Sequence, residues 1–192
     1  LNTSTVSTLG EIGNKQATPA LMKMTEVADS GTRMAVIDAL GKIGDPISLP
    51  YLLTLFKNQN IQIRGQAARA IFHYTDPAVV EPCLTILDTG DVAMRVLAIE
   101  TLGRIKDPRA IKPLIGQLND PDERIQTATK NGLISFSESA INQIGVHYKE
   151  GTSPIKQKLI PVLRSIFNTT LGDTELEWSS FFDYIKAKGG YD

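Results

Sequence analysis

Apolar residues recur along the chain at the spacing of amphipathic α-helices, and the whole pattern returns every 31 residues. Each repeat is predicted to hold two helices, because apolar positions follow i, i+3, i+4 and i+7 instead of alternating as in a strand. The buried face predicted for the first helix carries Leu49, Leu52, Leu53 and Phe56, then Val80, Cys83, Leu84 and Leu87, then Ile111, Leu114, Ile115 and Leu118. The buried face predicted for the second helix carries Val36, Ala39, Leu40 and Ile43, then Ala67, Ala70, Ile71 and Tyr74, then Ala98, Thr101, Leu102 and Ile105.

Residues typical of helix starts stand at two fixed places in the repeat. The first helices are preceded by Asn14, Asp45, Asp76, Asp107 and Glu138, and proline follows each of the three aspartates. Proline suits the first position of a helix, where its missing N–H is not needed. The second helices are preceded by Asp29, Asn60, Asp91, Asp122 and Ser153. Such side chains accept hydrogen bonds from the free N–H groups of a helix start, so both columns predict N-caps.

Stacked helical hairpins are the fold that this repeat predicts. One hairpin cannot bury its own apolar face, so each unit needs neighbours for stability. We predict an all-α, right-handed α-solenoid (superhelix) of antiparallel hairpins over residues 1–168, with about five units. Residues 2–13 fit only the second helix of a partial first unit, and Pro161 is expected to interrupt the last helix. Residues 169–192 are predicted to form a capping helix and tail of the same domain.

The segments ALGKIGDP, LPYLL and TLGRIKDPRAIKPLIGQLNDPDERIQ resemble the HEAT repeat family, most closely its short variety known from phycobilisome lyases. The resemblance covers roughly residues 3–167 and implies an α-solenoid. It implies no single function, because one repeat fold serves many unrelated partners. Leu1 stands where a complete chain would have methionine, so we expect a processed chain or a piece of a larger protein.

Composition excludes several classes of function. Twenty basic residues stand against 21 acidic ones, for a net charge of −1, without the basic excess of a nucleic-acid-binding domain. No apolar run reaches the roughly 20 residues of a membrane-spanning helix, so we expect no membrane insertion. One cysteine allows no internal disulfide and no cysteine-based zinc cluster. A cytoplasmic location is the expectation.

The residues that could carry chemistry are few, and we predict no catalytic residue, cofactor or metal. Cys83 falls in the core column of Leu52 and Leu114, which favours packing over a nucleophile or a bilin attachment point. His73 and His147 are each followed by tyrosine, whereas the related deoxyhypusine hydroxylases bind iron through repeated His-Glu pairs. The column of Arg33, Arg64 and Arg95 is expected to form a polar ladder between neighbouring turns.

A strip of exposed residues on the second helices is the predicted binding surface. In solenoids of this type the second helices usually line the concave side. Arg69, Phe72, His73 and Arg104 are expected at its centre, with Asp38, Lys42 and Glu100 beside them. The same charges also fit a merely solvated helix face, since Asp38–Lys42 and Glu100–Arg104 are i, i+4 pairs.

The C-terminal segment allows two interpretations. Thr174 and Glu177 have the spacing of a capping box. The following residues Trp178, Phe181, Phe182 and Ile185 share one face, which either covers the last repeat or docks another protein.

Protein–protein recognition along the concave strip is the predicted function, as a scaffold or adaptor for a protein partner. An alternative, which rests on the resemblance alone, is a bilin lyase that attaches chromophore to phycobiliproteins or another phycobilisome-handling protein. A third is regulation of an enzyme domain elsewhere in a longer chain.

Overall fold

The computed structural model describes residues 2–137, 141–168, 171–172 and 174–187. These residues form twelve α-helices and four short 3-10 helices, and no strand occurs among them. The α-helices are α1 (Thr3–Ile12), α2 (Thr18–Val27), α3 (Ser30–Ile43), α4 (Leu49–Phe56), α5 (Ile61–Ile71), α6 (Val80–Thr89), α7 (Val92–Ile105), α8 (Ile111–Gln117), α9 (Glu123–Ser135), α10 (Ile141–Glu150), α11 (Ser153–Phe167) and α12 (Glu175–Ala187). The 3-10 helices are Lys15–Ala17, Pro46–Ser48, Pro77–Val79 and Pro108–Ala110.

The chain divides into two compact units, residues 1–82 and 83–192, and the division falls inside α6. In the first unit, α3 packs between α1 and α5, while α2 and α4 cover α3 and α5 respectively. In the second unit, α9 packs against α7, α8 and α11, and α12 lies on α11. Second helices of consecutive hairpins therefore pack side by side within each unit. None of the helices in the described part of the chain is long and apolar enough to cross a bilayer.

The predicted core faces are confirmed almost position by position. On the second helices of all three repeats, every predicted position except Ile105 is buried, and Ile105 is half-buried. On the first helices, Leu53, Phe56 and Leu84 are half-buried and the others are buried. Each buried aliphatic side chain of this size stabilises a fold by roughly 1.5–3 kcal/mol relative to exposure, so these two faces are the main source of stability.

Asparagine and aspartate side chains start the helices at the predicted places. Asp29 accepts from the N–H of Thr32 at 3.0 Å, and Asp91 accepts from Met94 at 2.9 Å. Asp45 accepts from the N–H of Ile47, and its equivalents Asn14, Asp76 and Asp107 bond in the same way two residues on. Pro46, Pro77 and Pro108 thus open a 3-10 turn, and the α-helix itself begins three residues later.

Two expectations about helix boundaries come out differently, and one falls outside the described structure. Ser153 is the first residue of α11, whose N-cap position is Thr152, so the predicted cap lies one residue too late. Glu138 lies outside the described residues. Pro161 does not interrupt α11, which runs through it. Proline removes one N–H bond from a helix interior, but the buried Ile160 and Val162 on either side hold this helix against the core.

Helix ends use the left-handed conformation, which glycine adopts without strain. Gly13 and Gly44 end α1 and α3 at φ values of 69° and 62°. Lys106 occupies the same column after α7 and adopts φ 58° as a non-glycine residue. The left-handed conformation at this helix end is therefore the same in all three repeats, although Lys106 replaces glycine in one of them.

Glycine also sets how closely neighbouring second helices approach. A Cβ added to Gly10 would lie 2.8 Å from the Cα of Ala39, and one added to Gly41 would lie 2.6 Å from the Cα of Ala70. In the second unit, a Cβ on Gly103 would lie 3.0 Å from the Cα of Gly132. These helices touch backbone to backbone. Phe72 stands in the same column, where three other repeats have glycine and the fifth has Ile134.

Candidate protein-binding surface

The seven residues of the predicted strip fall on both units. Asp38 and Lys42 lie on α3, Arg69 lies on α5, and Phe72 and His73 follow directly after α5, all within the first unit. The other two, Glu100 and Arg104, lie on α7 in the second unit.

A charged network joins the three second helices of the first unit. Lys42 Nζ lies 2.6 Å from Glu11 Oε1 on α1 and 3.0 Å from Asp38 Oδ2 on its own helix. Gln66 on α5 donates from Nε2 to Asp38 Oδ1 at 3.2 Å. The hydrogen bond to Glu11 and then that to Asp38 raise the pKa of Lys42. Because these charges are already paired, Asp38 and Lys42 offer a partner less than their exposure suggests.

Arg69 and His73 are exposed, but Phe72 is not. The Phe72 side chain is only 5% exposed, so its expected place on the surface strip is wrong. The same column is buried in other repeats, where Gly10, Gly41 and Gly103 pack against the neighbouring second helix. The prediction therefore placed on the surface a column that lies between packed helices. Arg69 has no hydrogen-bond or ion-pair partner within the described residues.

A shallow groove lies between α7 and α9, on the second-helix surface of the second unit. It has a volume of about 410 Å³. Its α7 side is formed by Val96 and Glu100, and its α9 side by Glu123, Arg124, Thr127, Ala128 and Asn131. Val96 is half-buried and Ala128 is 7% exposed, so the floor is apolar. Glu100, a residue of the predicted strip, thus lines this shallow groove.

The sequence assigns Asn131 to an exposed column with Asp38, Arg69 and Glu100, but the other groove residues on α9 were missed. Thr127 follows Val96 by 31 residues. Extending that column by one repeat was the available signal. The role of Glu123 in lining the groove required the structure, because it depends on how α9 lies beside α7.

The charges around the groove are unevenly paired. Arg124 donates from Nε and Nη2 to the two carboxylate oxygens of Asp122, at 3.0 and 2.7 Å. That side-chain pairing, followed by the Arg124 backbone N–H, lowers the pKa of Asp122 to about 2. Glu100 and Glu123 are exposed and have no ion-pair partner in the described part of the chain. The groove therefore presents two free carboxylates beside a cation that is already neutralised.

Arg104 lies on the same helix as Glu100 but does not line the groove. Its Nη2 donates to Thr101 Oγ1 at 3.0 Å. The predicted i, i+4 pairing with Glu100 is not what the described contacts show, since Thr101 is the partner observed. The structure thus brings Glu100 together with α9, and not with Arg104.

The arginine column works mainly within each hairpin. Arg33 donates to the carbonyl oxygens of Thr25, in the last turn of α2, and of Ala28 in the loop that follows. Arg64 donates to the carbonyl oxygens of Asn58 and Gln59, in the loop before its own helix. Arg95 instead reaches the next hairpin, where it bonds Gln117 Oε1 at 2.5 Å and Asp120. The ladder between turns is therefore found at Arg95, and at Arg33 and Arg64 the same residue type closes its own loop.

The thiol and the two histidines that could carry chemistry lie apart, the thiol in the core and the histidines at separate positions. Cys83 is fully buried, and burial raises the pKa of its thiol to about 12. His73 is exposed and His147 is half-buried on α10. Across the described residues, no three His, Cys, Asp or Glu side chains come together as a metal site would need.

The aromatic residues of α12 form a cluster with α11. Trp178 is fully buried and donates from Nε1 to the carbonyl oxygen of Gly172 at 3.0 Å. Its ring lies 6.2 Å from that of Phe167 on α11, and Phe182 is 7% exposed. The side chain of Ile185 lies outside the described residues. The predicted capping box is confirmed: Thr174 N–H donates to Glu177 Oε2 at 3.2 Å, and Glu177 N–H to Thr174 Oγ1 at 3.3 Å. These contacts favour the covering role.

Comparison with known proteins agrees with this architecture. The HEAT repeats family matches residues 4–71 and 52–133, more than half of the chain. The chain belongs to the HEAT repeat family. The predicted fold class, an all-α solenoid of HEAT-type hairpins, is thereby confirmed, whereas the short phycobilisome-lyase subtype stays a prediction.

Among solved structures, this HEAT repeat chain is similar to a crystal structure of an engineered protein, a Northeast Structural Genomics Consortium target. The TM-score is 0.57 at 19% sequence identity, over 86% of this chain and 90% of the other. Identity this low shows a shared fold alone. Among curated proteins, none matches the chain in sequence.

Proposed function

We propose that this HEAT repeat chain is a binding scaffold that holds a protein partner on the exposed face of its second helices. HEAT repeats generally serve as protein-interaction scaffolds, which supports the class of function. The observation that carries the proposal is the α7–α9 groove, a concavity with an apolar floor and with free charged side chains on its walls. Recognition of this kind needs a shaped surface and a few anchors, and no cofactor.

The second-helix surface of the first unit offers a second set of contacts. Arg69 and His73 are exposed there, whereas the charges of Asp38 and Lys42 are satisfied internally. We therefore expect Arg69 to contribute more to partner binding than Asp38 or Lys42, because an unpaired guanidinium can form bidentate hydrogen bonds without first breaking an ion pair.

Site-specific photo-crosslinking tests the proposal. A photoreactive amino acid placed at Asn131 on α9 is compared with the same amino acid at Lys112 on α8; both positions are exposed and both lie in the second unit. Each variant is irradiated in extract of the source organism, and captured proteins are identified by mass spectrometry and re-tested as purified partners.

A partner that crosslinks from Asn131 and not from Lys112, and that binds the natural chain when purified, is the expected result. A partner that crosslinks equally from both positions, or from Lys112 alone, would show that the second-helix surface is not the binding face.

A further inference from the structure

The charges of the α7–α9 groove point to the chemistry of its occupant. Of the charged residues on its walls, Glu100 and Glu123 have no ion-pair partner in the described structure, and Arg124 is held by Asp122. The groove with its neighbour Asp122 therefore carries three carboxylates against one guanidinium. An incoming cation meets free acceptors, whereas an incoming anion meets a guanidinium that is already paired.

The floor of the groove fits the same kind of ligand. Val96 and Ala128 supply a small apolar surface in the groove that Glu100 and Glu123 also line. Lysine and arginine side chains lay their methylene stems on apolar surface and keep the charged head in polar surroundings. Thr127 and Asn131 add a hydroxyl and an amide, which can bond the backbone of a bound peptide.

Two other surface depressions carry less information about a ligand. The groove beside α12, lined by Leu171, Leu176 and Tyr184 among others, borders residues outside the described structure. The depression between α6 and α8 is apolar and carries one acid and one base, Asp88 and Lys112, so its charge selects no class of partner.

We propose that the α7–α9 groove binds a basic segment of a partner protein, with lysine or arginine side chains paired to the carboxylates of Glu100 and Glu123. This inference rests on the proposed function and specifies the partner's chemistry. The free carboxylates attract the cation and set the specificity, while the apolar floor holds its stem.

Fluorescence anisotropy with short labelled peptides tests the proposal. The probes are a lysine–alanine peptide and a glutamate–alanine peptide of equal length, both with blocked ends, titrated at low salt. The variant Glu100→Gln, Glu123→Gln removes both free carboxylates. The control Asp88→Asn, Glu150→Gln removes two exposed carboxylates from α6 and α10 in the same unit, and so changes the net charge equally.

The lysine peptide is expected to bind the natural chain and the control alike, and to bind the groove variant about tenfold more weakly. The glutamate peptide is expected not to bind. Equal weakening in the control and the groove variant would overturn the proposal, because it would assign the attraction to net charge. Failure of the lysine peptide to bind the natural chain would overturn it as well.

A measurement on the natural chain keeps the proposal testable if the groove variant unfolds. Backbone amide signals of Val96, Thr127 and Ala128 are expected to shift in NMR spectra on addition of the lysine peptide. Shifts confined to other helices would contradict the proposal. A partner that crosslinks from Asn131 while no basic peptide binds would leave the scaffold function standing and reject only the basic ligand.

Discussion

At the scale of single residues, the buried hydroxyl of Tyr74 has a structural role. The Tyr74 hydroxyl is buried and lies 2.8 Å from Ser48 Oγ. The carbonyl oxygens of Leu40, at 3.1 Å, and of Asp45, at 3.3 Å, are both within reach of its single proton. The hydroxyl thereby ties the end of α5 to the turn that precedes α4. The repeats on either side have isoleucine in this column, Ile43 and Ile105, so the hydroxyl is a local addition to the common core.

Replacing Tyr74 with phenylalanine is expected to lower the free energy of unfolding by about 1–3 kcal/mol at neutral pH, because Ser48 and the carbonyl groups lose a buried donor. Tyr51→Phe is the control, since Tyr51 is half-buried and its hydroxyl has no hydrogen bond among the described residues. Urea unfolding of the three chains measures the difference. An equal, small effect of both substitutions would contradict the structural role of the hydroxyl.

Tyr74 is also expected to make the free energy of unfolding depend on pH in the alkaline range. Burial raises the pKa of Tyr74 above its ordinary value of 10.0. The unfolded chain then loses the phenolic proton first, so the contribution of Tyr74 is complete below about pH 10 and is lost as the pH rises through the folded pKa. The stability difference between the natural chain and Tyr74→Phe is expected to shrink above pH 10.

Cys83 is expected to be unreactive in the folded chain. With a pKa of about 12, a thiol at pH 8 is thiolate in only about one molecule in ten thousand. A colorimetric disulfide reagent is therefore expected to label the native chain about a thousandfold more slowly than the urea-unfolded chain. Rapid stoichiometric labelling of the native chain would show that Cys83 is not the core residue described here.

At the scale of helices, small residues decide how the repeats stack. Gly41 and Ala70 bring α3 and α5 into backbone contact, as Gly10 and Ala39 do for α1 and α3. The side chains that form the core were predictable from the apolar columns. These close contacts were not, because the sequence pattern marks which face is buried and not how near the neighbouring backbone comes.

Gly41→Ala is expected to destabilise the chain by about 1–3 kcal/mol, because its Cβ would lie 2.6 Å from the Ala70 Cα and the helices would have to separate. Gly65→Ala is the matched control: it lies inside α5 with no atom within 4 Å of the added Cβ. That substitution is expected to stabilise by about 0.5–1 kcal/mol through helix propensity. Thermal unfolding followed by circular dichroism distinguishes them. Stabilisation by both would contradict the close approach.

The 31-residue period predicted the helices well because caps and core faces are local consequences of sequence. Asp29, Asp91 and Asp45 cap as expected, and the apolar columns are buried. It failed where a residue departs from the column. Phe72 stands where three other repeats have glycine, and it is buried as those glycines are, although it was expected on the surface. Pro161 was expected to stop a helix that tertiary packing carries through it.

At the scale of the whole molecule, the candidate site was only partly predictable. Glu100 was found from its column, and Asn131 follows from the same column, but the groove itself depends on the spacing of α7 and α9. The sequence also did not predict which charged side chains form ion pairs. Lys42 pairs with Glu11 on another helix, and Arg124 pairs with its neighbour Asp122. The right-handed sense of the solenoid, a single domain over residues 1–192 and a cytoplasmic location stay predictions.

Binding of the captured partner to two single variants tests the central claim most directly. Asn131→Arg fills the α7–α9 groove, and Gly116→Arg adds the same side chain and charge on the exposed face of α8. By isothermal titration calorimetry, Asn131→Arg is expected to weaken the partner's affinity about tenfold or more, while Gly116→Arg leaves it unchanged. An affinity that Asn131→Arg leaves intact and Gly116→Arg reduces would place the partner on the first helices and contradict the account.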